Sequence, residues 1–299
     1  MNIKNFKLQD ENRFEYTEAM NYRNAIFAII IALLSQEYLT NLISLLFRTF
    51  NLSNLFSSYV LQHLFATGIT TIILIIYCKF IEKRGSNGLG LKIDKKTFLR
   101  YIIGLCLGLL AFSVMVAVGY ATHVIKYLFP MYKGYEFTIF ITFIGFIIQG
   151  MSEEVMVRGT LMVGIAKDKG IVPAIIISSL FFAFLHIGNN GINVLALINL
   201  TLFGIFASLY YYHTNSLWGI CAFHTMWNFA QGNIFGLPVS GIPFGASIFR
   251  FYLLNISSYK KIFTGKSFGL EGSIQCTFVL LIGIGIILYR EKKKTKKAL

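Results

Sequence analysis

A chain of 299 residues that is 56% hydrophobic and only 13% charged, with mean hydropathy +0.65, departs from the balance of a water-soluble globular domain. The formal net charge of +14 does not indicate a nucleic-acid partner, because Lys and Arg punctuate apolar runs instead of clustering on a polar domain. Cys78, Cys106, Cys221 and Cys276 are far apart and lie in or beside apolar runs, which excludes a disulfide framework or a paired-cysteine zinc site.

The opening segment, MNIKNFKLQDENRFEYTEAM, is polar and mixed in charge, so no removable signal peptide is expected and residues 1–22 are read as a cytoplasmic segment. Crossing the hydrocarbon layer takes about 20 mainly apolar residues, and by that rule about eight runs qualify. They cover approximately 24–47, 57–80, 101–122, 137–165, 171–187, 192–212, 216–236 and 274–290. The fifth is short, and the fourth is long enough to tilt or project. Outside these runs 19 of the 27 Lys and Arg fall on the side of the N-terminus and 7 on the other, Arg158 lying within the fourth run. The expected fold is therefore an all-α polytopic transmembrane bundle in the cell membrane, with a membrane domain over 23–290 and both termini inside. The basic tail, residues 291–299, whose run REKKKTKK starts at Arg290 and ends at Lys297, reads as a cytoplasmic anchor facing anionic lipid. The stretch 237–273, with Pro238, Pro243 and several glycines, is the longest external connection and is placed to cover a site.

Ionisable groups at hydrocarbon depth are costly, so each calls for a partner or a function. GMSEEVMVRG in the fourth run holds three. Glu154 and Arg158 are one turn apart, as a carboxylate and a guanidinium must be to pair along a helix. Glu153 is rotated about 100° from Glu154 and is left as the free carboxylate. In SSLFFAFLHIGNN, Phe182 and His186 share a face; in LWGICAFHTMWNF, His224 and Asn228 do so. At about 1.5 Å per residue these groups reach a similar level near the middle of the membrane.

The ordered motifs EEVMVR, FAFLH and HTMWN on successive apolar segments resemble the three signatures of the CAAX protease and bacteriocin-processing (CPBP, Abi) family, over roughly residues 130–235. The defining positions match, with Val157 standing where an aromatic is frequent. The resemblance implies a membrane glutamic endopeptidase acting on a peptide or membrane-anchored protein, including bacteriocin or pheromone precursors and self-immunity. By that resemblance Glu153 is the base, His186 helps to hold and activate water, and His224 with Asn228 forms an oxyanion hole. Glu154, Arg158 and Phe182 are then structural support.

Other readings remain beside it. One Glu and two His also make a credible zinc set, although His-Glu-x-x-His is absent and no cofactor is expected. A non-enzymatic immunity or scaffold protein of the same fold is the alternative from another class. A transporter is disfavoured by the lack of repeats and of broken helix pairs. His63, His123 and His213 have no partner at helical spacing and read as packing or interfacial residues; Gln36 and Glu37 read as a packing pair, with a lining of the substrate path as the other reading; Tyr210, Tyr211 and Tyr212 read as an interfacial belt. The sequence does not specify an oligomeric state.

Overall fold

With almost no water to satisfy it, backbone inside a bilayer closes its hydrogen bonds within helices, and helices dominate the computed structural model, which describes residues 14–49, 59–85, 87–130, 134–254 and 258–298. Residues 1–13 of the N-terminal segment, the head of the second run at 57–58, residues 255–257 of the long connection and Leu299 lie outside the described residues. The helices are α1 (Tyr22–Thr49), α2 (Tyr59–Phe80), α3 (Thr97–Ala121), α4 (Glu136–Glu154), α5 (Val163–Lys169), α6 (Ile171–Phe184), α7 (Val194–Thr214), α8 (Leu217–Phe229), α9 (Ser258–Thr264) and α10 (Ile274–Ala298). A π-helical segment, Val155–Met162, joins α4 to α5 in one rod, and a second, Ala230–Ile234, extends α8.

Among the described residues six helices have the length and composition of a membrane span: Tyr22–Leu46, Val60–Phe80, Thr97–Ala121, Glu136–Lys169, Val194–Thr214 and Ile274–Lys294. The fifth and seventh apolar runs form shorter helices, α6 of 14 residues and α8 of 13. At 1.5 Å per residue α6 is about 20 Å long, less than the hydrocarbon thickness, and α8 reaches a similar length before its π-helical extension. The helical bundle has one small addition, an antiparallel pair of strands, β1 (Ile125–Pro130) and β2 (Phe249–Leu253), with Ile125 opposite Leu253 and an irregularity between Tyr127 and Phe129. It ties the connection between α3 and α4 to the one between α8 and α9.

Large apolar side chains face outward along the helices, among them Leu34, Leu110, Leu180 and Ile282. Such continuous exposed apolar surface suits lipid and not water. Inside, small residues bring backbones close. A Cβ on Gly104 of α3 would stand 2.1 Å from the Gly219 carbonyl oxygen of α8, and one on Gly108 2.5 Å from that of Phe223. On α7, a Cβ on Gly204 would lie 2.7 Å from Ser179 Cα of α6.

Two buried arginines stitch this packing to the π-helical segment. Arg84 pairs with Glu82, both fully buried, and donates to the carbonyl oxygens of Gly88 at 2.9 Å and Gly159 at 3.1 Å. Arg158 pairs with Glu154 and donates to the Gly204 carbonyl at 3.2 Å. Both supply donors to backbone where helices meet, and both keep charge compensated where water is excluded. His213, for which the sequence offered no partner at helical spacing, is in ion-pair contact with Glu291 of α10.

Candidate active site

The fourth apolar run delivers its two carboxylates from the last turn of α4, before the π-helical segment begins. The expected Glu154–Arg158 pair forms, at 3.0 Å between Oε1 and Nη1, with both side chains fully buried. The Arg158 guanidinium lies 4.8 Å from the centre of the Phe182 ring. Phe182 also stands 4.9 Å from the His186 ring and 6.0 Å from that of His224, centre to centre, so it is the apolar wedge between the three motifs.

His224 joins the two carboxylates that helical rotation separates. Its Nδ1 is 2.9 Å from Glu154 Oε1, and its Nε2 is 3.7 Å from Glu153 Oε2. A carboxylate accepts, so Nδ1 carries a proton and donates it to Glu154, which leaves Nε2 turned toward Glu153. Glu154 thus holds His224 as well as Arg158, a wider role than the purely structural one its spacing with Arg158 indicates.

Glu153 is oriented by a residue that the motifs do not include. Gln149, one turn earlier on α4, donates from Nε2 to Glu153 Oε1 at 2.8 Å, and Asn228 donates from Nδ2 to Gln149 Oε1 at 3.0 Å. The remaining carboxylate oxygen, Glu153 Oε2, is buried and accepts no hydrogen bond. A Gln one turn before Glu153 on an otherwise apolar helix is the sequence signal that could have found this relay.

His186 lies past the end of α6, in the turn that leads to Gly191 at φ +76°. Its Nδ1 donates to the Phe182 carbonyl at 2.9 Å, so Nε2 is left with a lone pair. Non-helical backbone at this depth is tolerable only where it lines a cavity, and a cavity is present. Its volume is about 330 Å³, and Glu153, His186, His224 and Asn228 all line it. Among the described residues no three His, Cys, Asp or Glu side chains are arranged to hold a metal ion.

Three other parts of the chain contribute to the walls. The long connection supplies Val239, Ser240, Ile242, Phe244 and Glu271. Glu271 fastens it: Oε1 accepts from Trp227 Nε1 at 3.0 Å, and Oε2 accepts from the Ser240 backbone N–H at 2.7 Å and its hydroxyl at 2.8 Å. The covering role expected for this connection therefore has a structural basis, with the same Glu271 gripping the helix that bears His224 and Asn228. Gln36 and Glu37 of α1 and His63 of α2 also line the cavity, so the packing reading of these three is replaced by a place on its wall. His123, at φ +55°, lies outside it.

Side chains of this kind, a free carboxylate beside two imidazoles and a carboxamide in a recess, can polarise water and receive a developing negative charge. Residues 135–230, from the head of α4 to just past α8, match the family model described as Type II CAAX prenyl endopeptidase Rce1-like. The match spans all three motifs. No curated protein matches the chain.

Proposed function

We propose that this multi-pass membrane protein, Rce1-like over residues 135–230, is an endopeptidase that hydrolyses a membrane-associated peptide or protein with water activated by Glu153. The observation that carries the reading is the unpartnered Glu153 Oε2, buried on the cavity wall beside His224 and held by Gln149. A water in the cavity gives a proton to Glu153 while its oxygen forms a bond to the scissile carbonyl carbon, and the His186 Nε2 lone pair orients that water. The oxyanion accepts from His224 Nε2–H and from the second N–H of Asn228 Nδ2, the first being engaged by Gln149. Collapse of the tetrahedral intermediate breaks the C–N bond, and the departing amine takes the proton from Glu153.

Because Nδ1–H is committed to Glu154, His224 offers Nε2–H only as the imidazolium. That state balances the group, with Glu153 and Glu154 negative and Arg158 and His224 positive. The route is read as one without a metal, and the chelator arm of the test below decides it. The enzyme is placed in the cell membrane with both termini on the cytoplasmic side, as the Lys and Arg asymmetry favours. Precursors of secreted peptides, bacteriocins or pheromones among them, fit the resemblance.

The test is to incubate protein reconstituted in lipid nanodiscs with a library of lipid-anchored peptides and to identify new termini by mass spectrometry. The native protein is expected to generate defined termini, with or without a chelator. In Glu153→Gln they fall by about 10² to 10⁴, the range for loss of a general base. The same termini from both proteins would overturn the assignment, and no cleavage by either would favour a non-enzymatic binding protein of this fold.

A further inference from the structure

Glu37 stands inside the first candidate span, Tyr22–Leu46, where a charged side chain is costly and faces either a partner or a polar cavity. It faces the cavity that holds Glu153. Across from it on α2, His63 is held by a polar network. Gln36 Oε1 accepts from the Thr70 hydroxyl at 2.8 Å, and Gln36 Nε2 stands 3.4 Å from His63 Nε2. An amide nitrogen only donates, so His63 Nε2 accepts and the ring proton sits on Nδ1. That nitrogen is 3.5 Å from Thr40 Oγ1, whose own proton goes to the Gln36 carbonyl, so its N–H is donated to Thr40, with Glu37 Oε1 beside it at 3.9 Å.

Glu37, Glu153 and Glu271 line the cavity, and among the described residues no Lys or Arg does. The His224 imidazolium is balanced by Glu153 and Glu154, which leaves Glu37 without a cation of its own. Glu271 is consumed by Trp227 and Ser240, and Glu153, held through Oε1 by Gln149, is the base assigned to water. Glu37, its side chain 56% exposed, has among the described residues no ion-pair partner other than His63. A basic side chain reaching Glu37 would exchange water for a carboxylate in a partly desolvated recess, which strengthens the attraction, while the long methylene stem of Lys or Arg would lie against Leu33, Val60 and Leu64 of the same wall.

We infer that Glu37, backed by His63, is a subsite for a Lys or Arg side chain of the peptide substrate. The inference rests on the peptide-hydrolase reading, but its test does not depend on cleavage. Binding is measured to reconstituted Glu153→Gln protein, using N-acetylated octapeptides that each carry one Lys, scanned through the sequence, against the same peptides with acetyl-lysine. A parallel set with free N-termini separates a side-chain ammonium from a terminal one. At one position Lys is expected to bind about tenfold more tightly than acetyl-lysine, a charged hydrogen bond discounted for the exposure of Glu37. Adding Glu37→Gln should reduce the ratio to below about twofold, and Glu37→Lys should reverse it for peptides with Glu at that position. Equal binding of Lys and acetyl-lysine at every position, preference for the free N-terminus alone, or a preference unchanged by Glu37→Gln would overturn the subsite. A preference that survives while the native protein cleaves nothing would leave the subsite standing and remove the protease reading.

Discussion

Replacing Glu154 by Gln separates its two roles. The native carboxylate oxygen lies 3.0 Å from Arg158 Nη1 and 2.9 Å from His224 Nδ1, with Glu154 and Arg158 fully buried. The substitution preserves shape and removes charge, leaving Arg158 without an anionic partner, beside the Gly204 carbonyl and the face of Phe182. Breaking a buried pair from one side costs about 3–5 kcal/mol, and removing both charges recovers most of it. Glu154→Gln should therefore unfold much earlier than the native protein. Glu154→Gln with Arg158→Met should return to within about 1–2 kcal/mol, the remainder reflecting the lost donor to Gly204. Unfolding can be followed with a thiol-reactive dye, because Cys78, Cys221 and Cys276 are buried; a Cys106→Ser background removes the exposed thiol. Cleavage should behave differently. The carboxamide oxygen introduced by Glu154→Gln can still accept from His224, but it no longer balances an imidazolium, so turnover should stay down by about 10² or more in the double variant. Recovery of cleavage together with stability would show that Glu154 acts through Arg158 alone and would refute the positioning of His224. A native unfolding midpoint in Glu154→Gln would refute the buried-charge argument itself.

Gly104→Ala drives a methyl into the Gly219 carbonyl, 2.1 Å from the ideal Cβ, and must push α8 from α3. The expected cost is about 1–3 kcal/mol, with a larger fall in cleavage because α8 carries His224 and Asn228; unchanged cleavage kinetics would show that the site does not depend on this contact. Glu271→Gln puts an N–H where two Ser240 donors now end. Faster hydrogen exchange at residues 238–244 and a higher KM than the native enzyme are expected, and native protection of that segment would refute its fastening by Glu271.

The parts of this site that were legible in the sequence are those set by one helix. Glu154 with Arg158, and His224 with Asn228, follow from helical spacing alone, and the order of the motifs supplied the family resemblance. The parts that were not legible arise between helices. His224 meets Glu153 and Glu154 across α4 and α8; Gln149 matters because Asn228 reaches it from α8; Glu291 reaches His213 from α10. The π-helical segment is likewise tied to other elements, since Arg84 reaches its Gly159 and its own Arg158 reaches Gly204 of α7. Local propensity carries little information about a partner that lies dozens of residues away.

The two apolar runs that became short helices are informative for the same reason. A window of hydropathy measures how long the chain stays apolar, and it cannot register where the helix stops. α6 ends at Phe184, so His186 sits on turning backbone, and α8 gives way to a π-helical turn after Phe229. Turning backbone at hydrocarbon depth needs polar neighbours, and the cavity walls supply them: Asn189 of the turn donates to the Ser240 carbonyl, and Ser240 is itself held by Glu271. A helix that ran the full thickness would satisfy its own backbone and seal this level of the membrane. In the proposed endopeptidase, the cavity beside Glu153 that the shorter helices border is where water would be admitted.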